Sequence, residues 1–328
     1  MRKIKWGVLG TAGIAKGQTI PGMKEAENCE LYAIAGRSLE KATVFQTEFG
    51  FEKAYGSYEE LLQDEQVEAV YIPLPNTLHY EWTIKALEAK KHVLCEKPLA
   101  PSEENARKMV ETAEKNSVLL MEAFAYLHSP FTKAIKQEIE NKTIGDVVYM
   151  ESTFITSDYD ISNIRMRRET LGGCLYDLGC YNTTQILWML EEEPEKLQAI
   201  SDFSEEKIDV YTTAIMNFKS GKRAVMNCGM VLEKESPERF DRIDSFRIHG
   251  TKGSIRSEVQ FNQCGKLSYV ITVEGKEEVK VIDTPQNYCL EVEQFGRCIL
   301  DGEKPFVSHE FTLKNARLMD RILKTIRY

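Results

Sequence analysis

The first 124 residues alternate apolar segments with amphipathic ones, and this alternation restricts the fold more than any other feature of the chain. Apolar runs such as IKWGVLG, AVYIPLP and HVLCEKP are separated by stretches of helical pattern, for example TLHYEWTIKALEAK. Continuous apolar strands joined by helices are typical of a parallel, doubly wound sheet with both faces covered. The sequence therefore predicts an α/β nucleotide-binding domain over residues 1–124.

The pattern changes from about residue 145. GDVVYMESTF is a longer, alternating strand, and VYTTAIMNFKSGKRAVMNCGMVL is a hairpin with its turn at residues 219–222. Hairpin-linked strands predict an α+β domain over residues 125–328, with a large, mainly antiparallel sheet and helices on one face. The other face of such a sheet needs a cover, so we expect this domain to bind substrate and to form a homodimer or higher homo-oligomer.

Composition excludes several classes of partner. A net charge of -9 over 328 residues disfavours nucleic acid and anionic membranes, which attract basic surfaces. No segment approaches the ~18 apolar residues of a membrane helix. The start MRKIKWGVLG is interpreted as a first strand rather than a signal peptide. The eight cysteines contain no C-x-x-C pair, so we expect a cytoplasmic protein with reduced, mostly buried thiols and no metal site.

The segment GVLGTAGIA lies where a dinucleotide-binding turn is expected, after the first strand. Gly10 suits the tight turn, Ala12 or Gly13 must let the backbone approach a pyrophosphate, and the following helix offers unpaired N–H groups. The segment departs from G-x-G-x-x-G because Ala12 replaces the second glycine. The predicted cofactor-binding residues of this turn are Gly10, Thr11, Ala12, Gly13 and Ile14.

The end of the second strand distinguishes NADP from NAD. The segment AIAGRSLEK has no acid before Glu40 that could accept from a ribose 2′-hydroxyl. Arg37 suits a 2′-phosphate, Ser38 can donate to it, and Lys41 lies one helical turn further on. The segment favours NADP, with NAD as the alternative.

Two further motifs carry a family resemblance over essentially the whole chain. YIPLPNTLHYEWTIKALEAKKHVLCEKPLA and ISNIRMRRETLGGCLYDLGCY resemble the signatures of the glucose–fructose oxidoreductase, inositol dehydrogenase and rhizopine-catabolism (Gfo/Idh/MocA) family. The chain is most similar to the branch with dihydrodiol and xylose dehydrogenases. The resemblance implies a Rossmann domain, a nicotinamide cofactor and oxidoreductase activity.

The resemblance also implies roles for residues around the E-K-P motif. Lys97 would contact the substrate hydroxyl that loses its proton, and Glu96 would serve the pocket or nicotinamide side and keep the lysine charged. Asn76 and His79 match positions that line the nicotinamide ribose. Leu74, in the same loop, completes the predicted cofactor-binding set.

The second motif supplies further catalytic candidates. Asp177 and Tyr181 are four residues apart on a predicted helix, so we expect them on one face. A free phenol has a pKa of about 10, and a nearby ammonium such as Lys97 would lower it. Tyr181 is therefore the predicted acid/base, with Lys97 as the alternative base. Asn163 and Arg165 resemble positions that reach substrate or cofactor.

The predicted function is transfer of hydride between NADP and a CH–OH group of a sugar, polyol or trans-diol. One alternative is a reductase of a carbonyl such as an anhydro-sugar or imine. Another is a regulator that senses NAD(P) without catalysis, although Lys97 argues against it. The segment MEAFAYLHSP departs from the family pattern at residues 127–129, so the substrate of a relative cannot be transferred to this chain.

Overall fold

The computed structural model describes most of the chain, namely residues 2–157, 159–233 and 240–328. The chain divides into two compact units, Met1–His128 with Pro285–Leu313 and Ser129–Thr284 with Lys314–Tyr328. The sequence-based domains, residues 1–124 and 125–328, remain a prediction, and they differ from these units because residues 285–313 return to the first unit. The sequence pattern assigns residues 285–313 to the domain that precedes them in the chain, whereas their contacts assign them to the core that they cover.

The first unit contains a six-stranded parallel sheet in the order β3-β2-β1-β4-β5-β6. Its strands are β1 (Ile4–Leu9), β2 (Cys29–Ala35), β3 (Lys53–Tyr55), β4 (Ala69–Ile72), β5 (His92–Glu96) and β6 (Leu120–Ala123). Its helices are a π-helical turn (Ala15–Thr19), α1 (Ile20–Glu25), α2 (Leu39–Phe49), α3 (Tyr58–Gln63), α4 (Asn76–Glu88), α5 (Glu103–Asn116), α6 (Ala125–His128) and α9 (Asn287–Asp301). Every residue of β4 is buried, as expected for a strand covered on both faces.

Helix α9 belongs to the first unit because it packs on α1 and α6 and contacts β2. A Cβ atom on Gly22 would lie 2.8 Å from the backbone nitrogen of Cys289, so only glycine permits this approach. Phe295 packs its ring 5.4 Å from that of the fully buried Trp6. Burial of a large apolar side chain such as Phe295 or Trp6 contributes about 1.5–3 kcal/mol to the free energy of unfolding.

The second unit contains an eight-stranded sheet in the order β14-β13-β12-β11-β7-β10-β9-β8, with only the β7–β10 pair parallel. Its strands are β7 (Val147–Ser157), β8 (Lys196–Phe203), β9 (Asp209–Asn217), β10 (Arg223–Leu232), β11 (Arg242–Gly250), β12 (Gly253–Ser257), β13 (Gly265–Val273) and β14 (Lys276–Thr284). Its helices are α7 (Pro130–Glu140), 3₁₀ turns (Ile164–Met166 and Arg168–Thr170), a π-helical turn (Leu175–Gly179), α8 (Cys180–Leu190) and α10 (His309–Ile326), whose first residues belong to the first unit. The predicted fold class is confirmed.

One face of this second sheet is covered and the other carries exposed apolar side chains. Helix α8 packs on β7 and β10, and α7 packs on β14. On the opposite side, alternation leaves Ile200 and Ile215 exposed by 74% and 47%. We call the exposed apolar side chains of this side the open face: Ile200, Ile215, Val231, Ile243, Val279 and Val281.

Two composition-based expectations concern apolar surface and thiols. Within the described ranges, no helix is both long and apolar enough to cross a membrane. All eight cysteines are free thiols, and six of them are buried. Cys289 is half-buried and Cys264 is exposed, so the expectation of mostly buried thiols is confirmed.

Candidate active site

The predicted cofactor residues of the first unit lie at one edge of its sheet. Strands β1, β2, β4 and β5 are parallel, so their carboxyl ends share an edge. Gly10 follows β1, Arg37 follows β2, Leu74 follows β4 and Lys97 follows β5. In sheets of this kind, ligands bind outside the carboxyl ends of the strands.

The two glycines of the turn after β1 have different structural roles. Gly10 has φ +121°, and a Cβ atom there would lie 2.9 Å from Leu74 Cδ2. Gly13, at the start of the helix, is exposed, and a Cβ atom there would meet no atom of the chain within 4 Å. The fold thus requires Gly10, whereas Gly13 leaves open space at a helix N-terminus where an anionic ligand can approach. Thr11, Ala12 and Ile14 are half-buried around it.

The cations after β2 are exposed. Ser38 caps α2, and its hydroxyl oxygen accepts from the backbone N–H of Lys41 at 3.5 Å. Across the part of the chain that the structure describes, neither Arg37 nor Lys41 forms an ion pair with a carboxylate. These two side chains are therefore available to a phosphate.

His79 lies in the interior rather than on a surface. It is 1% exposed, and its Nε2 and Nδ1 atoms lie 2.7 Å from the Leu74 oxygen and 2.8 Å from the Pro98 oxygen. The ring connects the loop after β4 to the turn after Lys97, a structural role that the sequence did not indicate. Burial lowers the pKa of His79, against the effect of the two carbonyl oxygens. Contacts of His79 and the half-buried Asn76 with a ribose remain predictions.

Glu96 points into the core at the end of β5. Its side chain is 8% exposed, and Oε1 accepts from the hydroxyl of Tyr71 at 2.6 Å. Oε2 accepts from the backbone N–H of Lys97 at 3.3 Å. Tyr71 is in turn 2.8 Å from the hydroxyl of the buried Thr19. Glu96 thus fixes the backbone from which the half-buried Lys97 projects.

In the second unit, three predicted residues lie together. Arg165 Nε donates to Asp177 Oδ2 at 2.7 Å, and Asn163 Oδ1 accepts from the backbone N–H of Arg165 at 3.0 Å. The Asp177 carboxylate raises the pKa of Arg165. Asp177, predicted to be a catalytic residue on a helix with Tyr181, lies in the π-helical turn Leu175–Gly179 directly before α8 and forms an ion pair with Arg165.

Asp209 holds the start of this turn, and the sequence did not identify it. It is fully buried, and its Oδ2 accepts from Leu175 N–H at 2.8 Å and from the Cys174 thiol at 3.0 Å. Burial raises the pKa of Asp209 to about 6. Gly173 has φ +102°, and a Cβ atom there would lie 2.0 Å from Asp209 Oδ1. The second glycine of the G-G pair is thus required by a buried carboxyl group.

Tyr181 is half-buried in an aromatic cluster. Its ring lies 5.7 Å from that of Phe154 and 5.0 Å from that of Phe261. Asn262 Nδ2 donates to the phenolic oxygen at 3.4 Å. Asn262 has φ +62°, a conformation that asparagine tolerates better than most residues. An N–H donor favours a phenolate, and only the folded loop brings Phe261 and Asn262 to Tyr181.

Comparison with known families assigns both halves of the chain. Residues 4–124 match the model of an oxidoreductase family with an NAD-binding Rossmann fold, and residues 132–256 match the C-terminal domain of the same family. The chain belongs to the GFO/IDH/MocA oxidoreductase family. The predicted family and the predicted type of cofactor are confirmed.

Two curated relatives resemble the chain over nearly its full length. A D-xylose 1-dehydrogenase (NADP⁺) of Haloferax volcanii is 32% identical, with 98% of this chain and 96% of the relative covered. A trans-1,2-dihydrobenzene-1,2-diol dehydrogenase of Xenopus laevis is 28% identical, with 98% of each chain covered. Both agree with the branch that the sequence predicted.

A solved GFO/IDH/MocA structure has the same fold. A 3-ketoreductase from Actinomadura kijaniata, in complex with NADP and TDP-benzene, superposes with a TM-score of 0.91 at 27% identity. The alignment covers 99% of this chain and 98% of the ketoreductase. The same ketoreductase was also solved with one tyrosine replaced by phenylalanine and with one lysine replaced by alanine.

Proposed function

We propose that the protein is an NADP-dependent oxidoreductase that transfers hydride between the nicotinamide and a CH–OH group of a neutral sugar, polyol or trans-diol. The observation that carries the proposal is Lys97, which follows β5 at the same sheet edge as the Gly10–Gly13 turn. A regulator that only senses the cofactor has no need of an ammonium there. The xylose and dihydrodiol relatives support a substrate with free hydroxyl groups.

The residues after β2 support NADP. Arg37 and Lys41 would hold the 2′-phosphate, and the helix N-terminus at Gly13 would receive the pyrophosphate. When bound, NADP supplies the nicotinamide carbon that accepts or gives up hydride. The NADP-dependent xylose dehydrogenase and the NADP complex of the ketoreductase agree with this assignment.

Proton transfer is proposed for Tyr181, with Lys97 supplying positive charge. The N–H group of Asn262 favours the phenolate form of Tyr181, and a nearby ammonium would favour it further. Lys97 as the base remains the alternative. The lysine and tyrosine variants of the ketoreductase show that residues of these two types have been targeted in a relative.

Two arginines close to the predicted substrate residues are already paired with carboxylates, and this favours a neutral substrate. Arg165 is paired with Asp177, and Arg242 Nε donates to Asp244 Oδ1 at 2.7 Å. A phosphorylated substrate is usually recognised by a guanidinium that has no carboxylate partner. We therefore expect lower kcat/KM for sugar phosphates and nucleotide sugars than for free sugars or diols.

The reverse reaction is the second candidate, because the ketoreductase relative is named for reduction. A site that lowers the barrier for oxidation lowers it equally for reduction, so the same residues would serve. The substrate supplied in the cell decides the direction.

We propose a homodimer, or a higher homo-oligomer, through the open face. Exposed apolar side chains at Ile215 and Ile243, together with Val279 and Val281 at the β14 edge, form a surface that water solvates poorly. In a two-fold symmetric dimer the same face of a second copy would cover this surface.

A substrate panel tests the function. Aldoses, polyols and trans-diols are supplied with NADP⁺, and the matching carbonyl compounds with NADPH, while absorbance reports cofactor turnover. Lys97→Met is the control: we expect turnover to fall ~100-fold or more, with NADP binding nearly unchanged. Tight NADP binding without turnover in either direction would favour the sensor instead.

A further inference from the structure

Three buried carboxyl groups lie around the end of β5. Glu96 ends β5, Glu122 lies on the neighbouring strand β6, and Glu291 lies on α9. Their exposures are 8%, 3% and 0%. Buried carboxyl groups are rare unless they are paired or neutral, so this cluster requires an explanation.

Glu122 holds the turn that follows Lys97. Its Oε1 accepts from the backbone N–H of Leu99 at 2.8 Å, and the hydroxyl of Thr312 on α10 lowers the pKa of its side chain. In the sheet Glu122 is the register partner of Cys95, two residues before Lys97. The Glu122 carboxyl group therefore holds the chain after Lys97, while strand β6, which contains Glu122, pairs with the residues before Lys97.

The groups that face Glu122 determine its charge. Strand β5 contributes the Cys95 thiol, the Glu96 carboxylate and the Lys97 ammonium, and Thr312 on α10 does not titrate. Burial raises the pKa of Glu122 to about 7, against the hydrogen bond from Leu99 N–H and the Thr312 hydroxyl, and with smaller effects of Lys97, which lowers the pKa, and of Glu96, which raises it. Glu122 thus changes charge near neutral pH.

Glu291 behaves differently. Within the described part of the chain, neither of its carboxyl oxygens has a hydrogen-bond partner. Burial, together with the charge of Glu96, raises its pKa well above the ordinary range. Glu291 therefore stays neutral, whereas Glu96 accepts hydrogen bonds from Tyr71 and from the backbone of Lys97.

We propose that Glu122 is a positioning residue: its buried carboxyl group fixes the turn that carries Lys97 and, by binding or releasing a proton, controls the electric field at the lysine ammonium. The role of Lys97 in turnover rests on the proposed function. The hold on the turn and the protonation of Glu122 do not, and they are measured separately.

Thermal unfolding of the wild type and of Glu122→Gln at several pH values tests the protonation. The unfolded chain ionises Glu122 near the ordinary value of 4.5, whereas the folded protein keeps the proton up to about 7. The stability that the neutral carboxyl group contributes is therefore complete below pH 4.5 and is lost as pH rises to 7. Glutamine does not ionise, so the melting temperature of Glu122→Gln should rise relative to that of the wild type between pH 4.5 and 7. Above pH 7 the difference between the two melting temperatures should be constant. A difference that is independent of pH overturns the proposal.

Infrared titration of the wild type gives a second measurement that does not depend on the folding of a variant. The band of protonated carboxyl groups should lose intensity near pH 7. Glu291→Gln should keep this loss and Glu122→Gln should remove it, whereas Asp209, with a pKa of about 6, titrates in all three proteins. No loss near pH 7 in the wild type, or a loss that persists in Glu122→Gln, contradicts the assignment.

Kinetics tests the effect on Lys97. The profile of kcat against pH should inflect near 7 in the wild type and in Glu291→Gln, and the inflection should be absent in Glu122→Gln. Glu122→Ala, which removes the acceptor for Leu99 N–H, should lower kcat by about tenfold relative to Glu122→Gln, equivalent to one lost hydrogen bond, with KM for NADP nearly unchanged. An inflection that persists in Glu122→Gln overturns the proposed control of Lys97. A wild type that turns over no substrate counts against the proposed function, and the two titrations still decide the protonation of Glu122.

Discussion

Single charges explain the cofactor preference that we propose. An exposed arginine usually gains little from a carboxylate partner, since the pair is screened by water. Arg37 and Lys41 form no such pair with the described residues, although Glu40 lies next to them in the chain. Their charge is thus available to an anionic ligand, and the arginine fork matches a phosphate.

Replacing Arg37 by alanine should weaken NADP selectively. A charge-assisted hydrogen bond contributes about 1.5–3 kcal/mol, so the Kd for NADP should rise by ~10-fold or more. The Kd for NAD, which lacks the 2′-phosphate, should change little. Fluorescence titration measures both, and an equal effect on the two cofactors would mean that Arg37 does not contact the phosphate.

Tyr181→Phe removes the proposed acid/base and keeps the ring that packs on Phe154 and Phe261. We expect kcat to fall by ~100-fold or more, with a smaller change in KM. Tyr176→Phe is the control, because Tyr176 is a buried tyrosine from the same segment, in contact with Tyr328. Steady-state kinetics of both variants decides the role, and an unchanged kcat in Tyr181→Phe would leave Lys97 as the base.

At the scale of elements, two turns with π-helical hydrogen bonding lie beside the two predicted sites. One is Ala15–Thr19, after the glycine turn, and the other is Leu175–Gly179, which contains Asp177. Such turns are rare and often occur at functional sites. The second is held by Asp209, a buried acid from β9, so its position depends on a contact between segments distant in sequence.

Gly173→Ala tests this anchor. A left-handed φ costs an alanine about 1–2 kcal/mol, and the new Cβ atom would in addition collide with Asp209. Gly221→Ala is the matched control, since Gly221 has φ +89° and open space around its Cβ position. Denaturant unfolding should show a clearly larger loss of stability for Gly173→Ala. Equal losses would mean that the carboxyl group moves aside without cost.

At the scale of the whole molecule, the exposed apolar face of the second sheet is the feature that the fold of one chain leaves unexplained. A stable interface buries roughly 1,000 Å² or more in total. An eight-stranded sheet offers such an area on one side. Association of two copies would remove this surface from water and would follow from the hydrophobic effect.

Ile215→Glu places a charge in the open face and should convert the assembly to a chain of 37.6 kDa in light scattering. Burying an unpaired carboxylate opposes association. Leu39→Glu is the control: Leu39 is 55% exposed on α2, outside the open face, and its replacement should leave the assembly unchanged. A wild type that is already monomeric would contradict the proposed dimer.

The sequence by itself determined the two kinds of sheet, the glycine turn after β1 and the family. Apolar periodicity and glycine placement are local properties, and they survive any arrangement of the rest of the chain. The pattern of β5 predicted a buried strand that ends in a charged pair, and the structure has this strand.

Only the tertiary structure decided which side chains surround these motifs. Asp209 under Gly173, Asn262 beside Tyr181, and Glu122 behind Lys97 come from distant segments, and a single acid or amide in a strand or loop carries no periodic signal. The packing of α9 on the first unit could likewise not be predicted from the sequence. Its amphipathic pattern indicates that one face is buried but does not indicate which core buries it. Contacts between segments distant in sequence decide which groups surround each buried side chain, and these groups determine whether the side chain is charged.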